Sequence, residues 1–168
     1  MLRINKSLIS RSIGILILLI AFAFSACSSS SGGSSGKNEI TIVTAKQGKV
    51  KFEFVGTDGA KLAIDWGVGD ENDVINLASA GVEASKNYSS SDQKTITITG
   101  EILHITDLIL SDNEITSIDL SACSGLENLR LVEDPSWDAG LVSLDLSQNL
   151  KLKDLYIVSL SELASLRS

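Results

Sequence analysis

After Gly100 the chain falls into a repeating beat of aliphatic residues, and nothing else in it limits its folding as strongly. Ile105, Leu108, Leu110 and Asn113 are followed by Ile115, Ile118 and Leu120. The beat returns as Leu126, Leu129 and Leu131, as Leu141, Leu144, Leu146 and Asn149, and as Leu152, Leu155 and Ile157. The pattern is L-x-x-L-x-L-x-x-N, written again and again in register. A unit this short cannot bury its own apolar edge, so each copy must stack on the next. Stacked coils present surface rather than enclose a pocket, which points to binding or display.

Each L-x-L sends its two aliphatic residues inward and the residue between them outward. The first-half strands therefore expose Asp107, Ile109 and Ser111, then Asn128, Arg130 and Val132, then Asp154, Tyr156 and Val158. The middle positions stack as a column of Ile109, Arg130 and Tyr156. The second-half strands expose Ser117, Asp119 and Ser121, then Ser143, Asp145 and Ser147. One face is thus mixed apolar, cationic and aromatic, and the other is Ser/Asp. Aromatic residues and Arg dominate contact energetics, so the first face is the candidate binding surface; plain solvated decoration is the competing reading. Asn113, Cys123 and Asn149 share the corner where the chain leaves its strand. A buried amide there satisfies backbone groups that the ladder leaves unpaired. Cys123 reads as a small buried corner residue rather than a reactive thiol, since no base adjoins it.

The spacing resembles the short bacterial leucine-rich repeats of the IRREKO type, whose second half also reads L-x-x-L-D-L, as Ile115 to Leu120 and Leu141 to Leu146 do here. The resemblance implies an extended segment on each side of every coil. Pro135 to Gly140 interrupts the array as a loop, and Trp137 within it is read either as a contact residue or as cover for the coil edge. Leu163, Leu166 and Ser168 align with Leu141, Leu144 and Leu146. The repeat would thus stop inside a strand, with fewer than three complete coils, which suggests a truncated product or a fragment of a longer relative.

Before Gly100 the period changes to two. Ile40 and Ile42, then Val50, Phe52 and Phe54, then Leu62, Ile64 and Trp66 alternate with polar residues, and Thr95 to Thr99 reads TITIT. Such alternation marks half-buried strands. Turns fall at Gly48, at Thr57-Asp58-Gly59 and across Gly67 to Asp73. The segment Asp73 to Tyr88 is open between a helical turn and a strand. The motif Ile64-Asp65-Trp66-Gly67-x-Gly69, followed by Tyr88 and the Thr95–Gly100 strand, resembles a PKD-like (Ig-like) module. Val68 stands where that family places the Asp of W-G-D-G. The resemblance implies a small antiparallel sandwich with Trp66 in its core beneath a tight turn. It would cap the first coil, because an uncapped coil end exposes core. The expected architecture is therefore mainly β: a PKD-like antiparallel β-sandwich over residues 39–100, then a short, incomplete leucine-rich-repeat β-solenoid over 101–168.

The N-terminus reads as an address. Arg3, Lys6 and Arg11 precede an unbroken apolar run from Ile13 to Phe24. That run is shorter than the roughly 20 residues of a membrane span and fits a signal-peptide core. Phe24-Ser25-Ala26-Cys27 resembles the lipobox of bacterial lipoproteins, with Phe where Leu is usual. The resemblance implies a signal peptide over 1–26 and lipid attachment at Cys27. Residues 27–38 then form a Ser/Gly tether, whose nine-residue SSSSGGSSG stretch spans on the order of 15–18 Å. The expected location is the cell envelope, lipid-anchored in the outer membrane on its periplasmic or surface side.

Charge and cysteine content support that organisation. Three of the 14 basic residues and none of the 21 acidic ones precede Cys27, so the chain beyond carries 11 positive and 21 negative charges, a net −10. This argues against nucleic acid as a partner, which needs a basic stripe, and leaves membrane attachment to the lipid. With Cys27 acylated only Cys123 remains, so no internal disulfide forms.

Little suggests catalysis. His104 is the only histidine, and no nucleophile elbow or orienting constellation accompanies it. No phosphate loop, CxxC pair or HExxH occurs. Asp70, Glu71 and Asp73, with Asp65 nearby, read as a solvated acidic turn; calcium is the alternative, though the spacing is not that of an EF-hand. No metal or cofactor is expected. The chain is read as a non-enzymatic envelope lipoprotein that recognises a protein or glycan, with a structural spacer as the alternative and a hydrolase acting through His104 as a third reading.

Overall fold

The computed structural model describes Arg3–Ser7, residues 38–134 and 140–158, and Ser165–Arg167. The fold is mainly β, with no α-helix among the described residues. The strands are β1 (Arg3–Ser7), β2 (Glu39–Thr44), β3 (Gly48–Gly56), β4 (Lys61–Asp65), β5 (Asp73–Asn76), β6 (Val82–Tyr88) and β7 (Lys94–Gly100). A 3-10 turn at Ile102–His104 leads into β8 (Ile105–Ser111), β9 (Ile115–Asp119), β10 (Asn128–Val132), β11 (Ser143–Asp145), β12 (Asp154–Val158) and β13 (Ser165–Arg167).

The period-two segments became strands because each can bury one face. In β2 and β3 every second residue is buried, and Ile40, Ile42, Val50, Phe52 and Phe54 are fully enclosed. Trp66 is buried as expected. Its ring stacks on Phe52 at 5.5 Å, its Nε1 donates to Asp73 Oδ2 at 2.6 Å, and its carbonyl accepts from Tyr88 Oη at 2.7 Å. Gly67 (φ 73°) makes the turn below it, and a Cβ there would strike the carbonyl oxygen of Thr95. The segment left open at Asp73 to Tyr88 is two strands, β5 and β6. The second of these, VEASKNY, buries only Ala84 and Tyr88, so its apolar signal is thin.

The two halves of the sequence share their sheets. One sheet runs β1-β12-β10-β8-β3-β6 and the other β5-β4-β7-β2-β9, with β11 and β13 paired apart. The junction lies between β3 and β8, which are antiparallel with Phe52 opposite Leu110 and Phe54 opposite Leu108. A second junction joins β2 to β9, with Ile42 opposite Ile118. The composition changes at Gly100, but strand pairing crosses that point twice.

Beyond the junction the ladder adds strands in parallel. Leu108, Leu129 and Leu155 are register partners, and so are Leu110, Leu131 and Ile157. All but Ile157 are buried, in one cluster with Phe52, Phe54 and Trp66. Each buried leucine contributes roughly 1.5–3 kcal/mol of transfer free energy. Leu144 pairs with Leu166 across β11 and β13, the alignment the repeat predicts. Gly125 lies where consecutive turns touch: a Cβ would strike the carbonyl oxygen of Leu103. At the far edge Arg3–Ser7 lies parallel to β12, with Ile4 opposite Leu155. These are residues that the leader reading assigns to the signal peptide.

Candidate recognition face

The outer face of β8, β10 and β12 carries the residues between the ladder positions. Parallel pairing without a register slip sets Ile109, Arg130 and Tyr156 side by side. The guanidinium of Arg130 lies over the Tyr156 ring, 4.8 Å from its centroid. That cation–π contact holds two long side chains flat against the sheet. The row continues onto β3, where Glu53 is opposite Ile109.

One row away stand Asp107, Asn128 and Asp154. Asn128 Nδ2 donates to Asp107 Oδ1 at 2.7 Å, and Thr106 Oγ1 donates to the other carboxylate oxygen at 2.7 Å. Asp154, at the end of the row, is exposed. Between the rows runs a shallow groove of about 200 Å³, lined by Asp107, Ile109, Asn128, Arg130, Asp154 and Tyr156. This is below the several hundred Å³ of a pocket that engulfs a small molecule. It has room for one side chain or one sugar ring.

The corner residues behave as a set, with one change of partner. Asn149 is buried, and its Nδ2 donates to Leu120 O at 3.0 Å and Cys123 O at 2.9 Å, clasping the preceding turn. Cys123 is buried, and its Sγ is 3.5 Å from Ile102 O. Burial pushes its thiol up to about 12, so it is not a nucleophile at neutral pH. Asn113 is buried too, but it clasps a different strand. Its Oδ1 accepts from Lys51 N at 2.9 Å and its Nδ2 donates to Lys51 O at 2.8 Å, so it ties the turn after β8 to β3.

The remaining candidates have local partners. His104 is exposed, with Nδ1 3.2 Å from Thr57 Oγ1. The nearby Glu101 accepts from Lys61 N at 2.8 Å. In the acidic turn Asp65 accepts from Gly67 N at 2.8 Å, Asp70 pairs with Lys86 at 2.7 Å, and Asp73 holds Trp66. Trp137 and Cys27 lie outside the described residues.

One residue escaped the sequence reading. Glu133 is buried, and its Oε2 accepts from Glu114 N at 2.8 Å. Burial pushes its carboxyl up to about 7, against the opposing effect of the Glu114 N–H. The signal was present: Leu129, Leu131 and Glu133 continue one period-two face into the interior.

No known protein family, curated protein or solved structure matches the chain. The functional reading therefore stands on the site alone.

Proposed function

We propose that the chain is a non-enzymatic, lipid-anchored envelope protein whose ladder face recognises a protein or glycan. In this reading residues 39–100 are a PKD-like sandwich and residues 101–168 are leucine-rich coils that lengthen its two sheets. The parallel, in-register stacking of Leu108, Leu129 and Leu155 supports the coil reading. The observation that carries the recognition reading is the Ile109/Arg130/Tyr156 row, with Arg130 laid over Tyr156 beside a groove. A rigid aromatic and a guanidinium held flat offer contact area with little entropy left to lose. Trp137 belongs to the same reading as a flanking contact. Cys27, acylated after removal of residues 1–26, would hold this face out from the outer membrane on the Ser/Gly tether.

The test is capture on arrays of bacterial glycans and envelope proteins. The intact chain is compared with a variant carrying Ile109→Ser, Arg130→Ser and Tyr156→Ser. Loss of a captured ligand in the variant supports the reading, and capture unchanged by the three substitutions defeats it. A structural spacer is the second reading, favoured by one observation. Much of the polar chemistry on the face is already internally partnered, Asn128 with Asp107 and Arg130 with Tyr156. Under that reading the array stays blank.

A further inference from the structure

The turn from β8 to β9 is held from both sides. Asp112 and Glu114 adopt positive φ values of 52° and 51°, a left-handed conformation that costs a non-glycine residue free energy. Something outside the turn must therefore impose it. On one side Asn113 is clasped to the Lys51 backbone, its carbonyl accepts from Thr44 Oγ1, and Ala45 N donates to Glu114 O at 3.3 Å. On the other side the next coil reaches back. Asp112 N donates to Val132 O at 2.7 Å, and Glu114 N donates to the Glu133 carboxyl. The second oxygen of that carboxyl, Oε1, is buried with no hydrogen-bond partner among the described residues.

A carboxyl in this position has two unequal states. The anion draws more strongly on the backbone N–H groups of Glu114, Asn113 and Ile115 that face it, but the cost of burying the charge, with Oε1 unpartnered, outweighs them. The charged groups around it do little to help. Asp112, on the same turn, opposes the anion. Glu114 is an acid whose own side chain is 3.7 Å from Lys46 Nζ. Lys51, on β3, is 3.5 Å from Glu83. Asp134, next in the chain, is a further acid. No cation among these groups is shown paired with Glu133.

We propose that Glu133 is a proton-operated latch on the Asp112–Glu114 turn, closed as the neutral acid and loosened as the carboxylate. The turn joins β8, which carries Ile109, to β9, and its loosening frees the end of the recognition face. The raised value of about 7, against 4.5 for an ordinary Glu, sets the window. The folded turn prefers the protonated form, so this contribution is complete below about pH 4.5. It is lost as the pH rises to about 7 and is constant above that. Asp58, Glu83 and Asp145 run the other way: hydrogen bonds hold their carboxyls below the usual range, so their contributions are lost in acid. The latch must therefore be read as a difference from a variant.

Hydrogen exchange of the full chain between pH 5 and 8.5, corrected for intrinsic rates, makes the comparison. Protection of the amides of Asn113, Glu114 and Ile115 is expected to fall at least several-fold across that range in the parent. In Glu133→Gln, which keeps an accepting carbonyl, protection is expected to stay level. A level profile in the parent, or the same fall in the variant, overturns the proposal. Should the variant fail to fold, carbon-13 labelling of the parent's Glu carboxyls decides the matter. A Glu133 titration midpoint near 7 that the amide shifts of Asn113, Glu114 and Ile115 share upholds the latch; a midpoint in the ordinary carboxylate range, or amides that do not follow it, sinks it.

Discussion

At the scale of single residues, the buried polar groups set the geometry, and aliphatic side chains, leucine and isoleucine above all, supply most of the core. Asn149 shows this best. Its amide is enclosed and adds a second hydrogen bond to each of two carbonyls, Leu120 O and Cys123 O, that already accept from the turn's own Cys123 and Leu126 N–H groups. Removing it loses two hydrogen bonds, at about 0.5–1.5 kcal/mol each, while both carbonyls keep their backbone donors. Asn149→Ala is therefore expected to destabilise the chain by about 1–3 kcal/mol in urea unfolding, with little change in the slope of the transition. Gln148→Ala, on the exposed neighbour, should change stability by less than about 0.5 kcal/mol. Near-equal values for the two variants would show that the corner amide adds nothing. Cys123 fills the equivalent corner with a smaller group, offering its thiol to Ile102 O where Asn149 offers an amide. Two different small groups, a thiol and an amide, thus serve equivalent corners.

At the scale of the strand, the ladder works by division of labour between adjacent positions. In β10 Leu129 and Leu131 are buried, Asn128 and Val132 are half-buried and Arg130 is exposed. The inward pair fixes the strand and leaves the outward positions free to vary. Leu131→Ala is expected to cost about 2–5 kcal/mol, the range for a large aliphatic removed from a packed site. Val132→Thr, one residue later and facing outward, should cost under about 1 kcal/mol. Thermal unfolding of the two variants checks this, and a small loss at Leu131 would mean that the ladder is not core. The edge at β12 follows the same logic. It is paired by Arg3–Ser7. If residues 1–26 are removed at export, that backbone edge is exposed, the kind of edge to which extended segments add.

At the scale of the molecule, the two sequence patterns share two sheets and one buried cluster. Gly100 divides a period-two half from a leucine-rich half, yet β3 pairs with β8 and β2 with β9. Leu108, Leu110, Phe52 and Trp66 belong to a single buried cluster. Unfolding either half strips hydrogen bonds and apolar cover from the other, so the two are expected to melt together. In a Trp137→Phe background, Trp66 fluorescence reports the first half alone. Its transition should coincide with far-ultraviolet circular dichroism in the parent and shift with it in Leu129→Ala. A Trp66 transition that ignores Leu129→Ala would show two independent units.

The sequence by itself determined which residues face inward. Period two before Gly100 and the L-x-L spacing after it both came out as buried strand faces, and the corner positions Asn113, Cys123 and Asn149 came out buried. The Ile109/Arg130/Tyr156 row was legible too, because equal spacing in stacked copies fixes the register. Only the tertiary structure decided how strands of the first half lie beside those of the second. Nothing in the local pattern says that β8 runs antiparallel along β3, that Asn113 clasps Lys51, or that Glu133 reaches the Glu114 amide. A side chain's inward or outward direction is set by its own backbone within a few residues. Its hydrogen-bond partner lies far along the chain and is chosen by the pairing of whole strands, which no short stretch encodes.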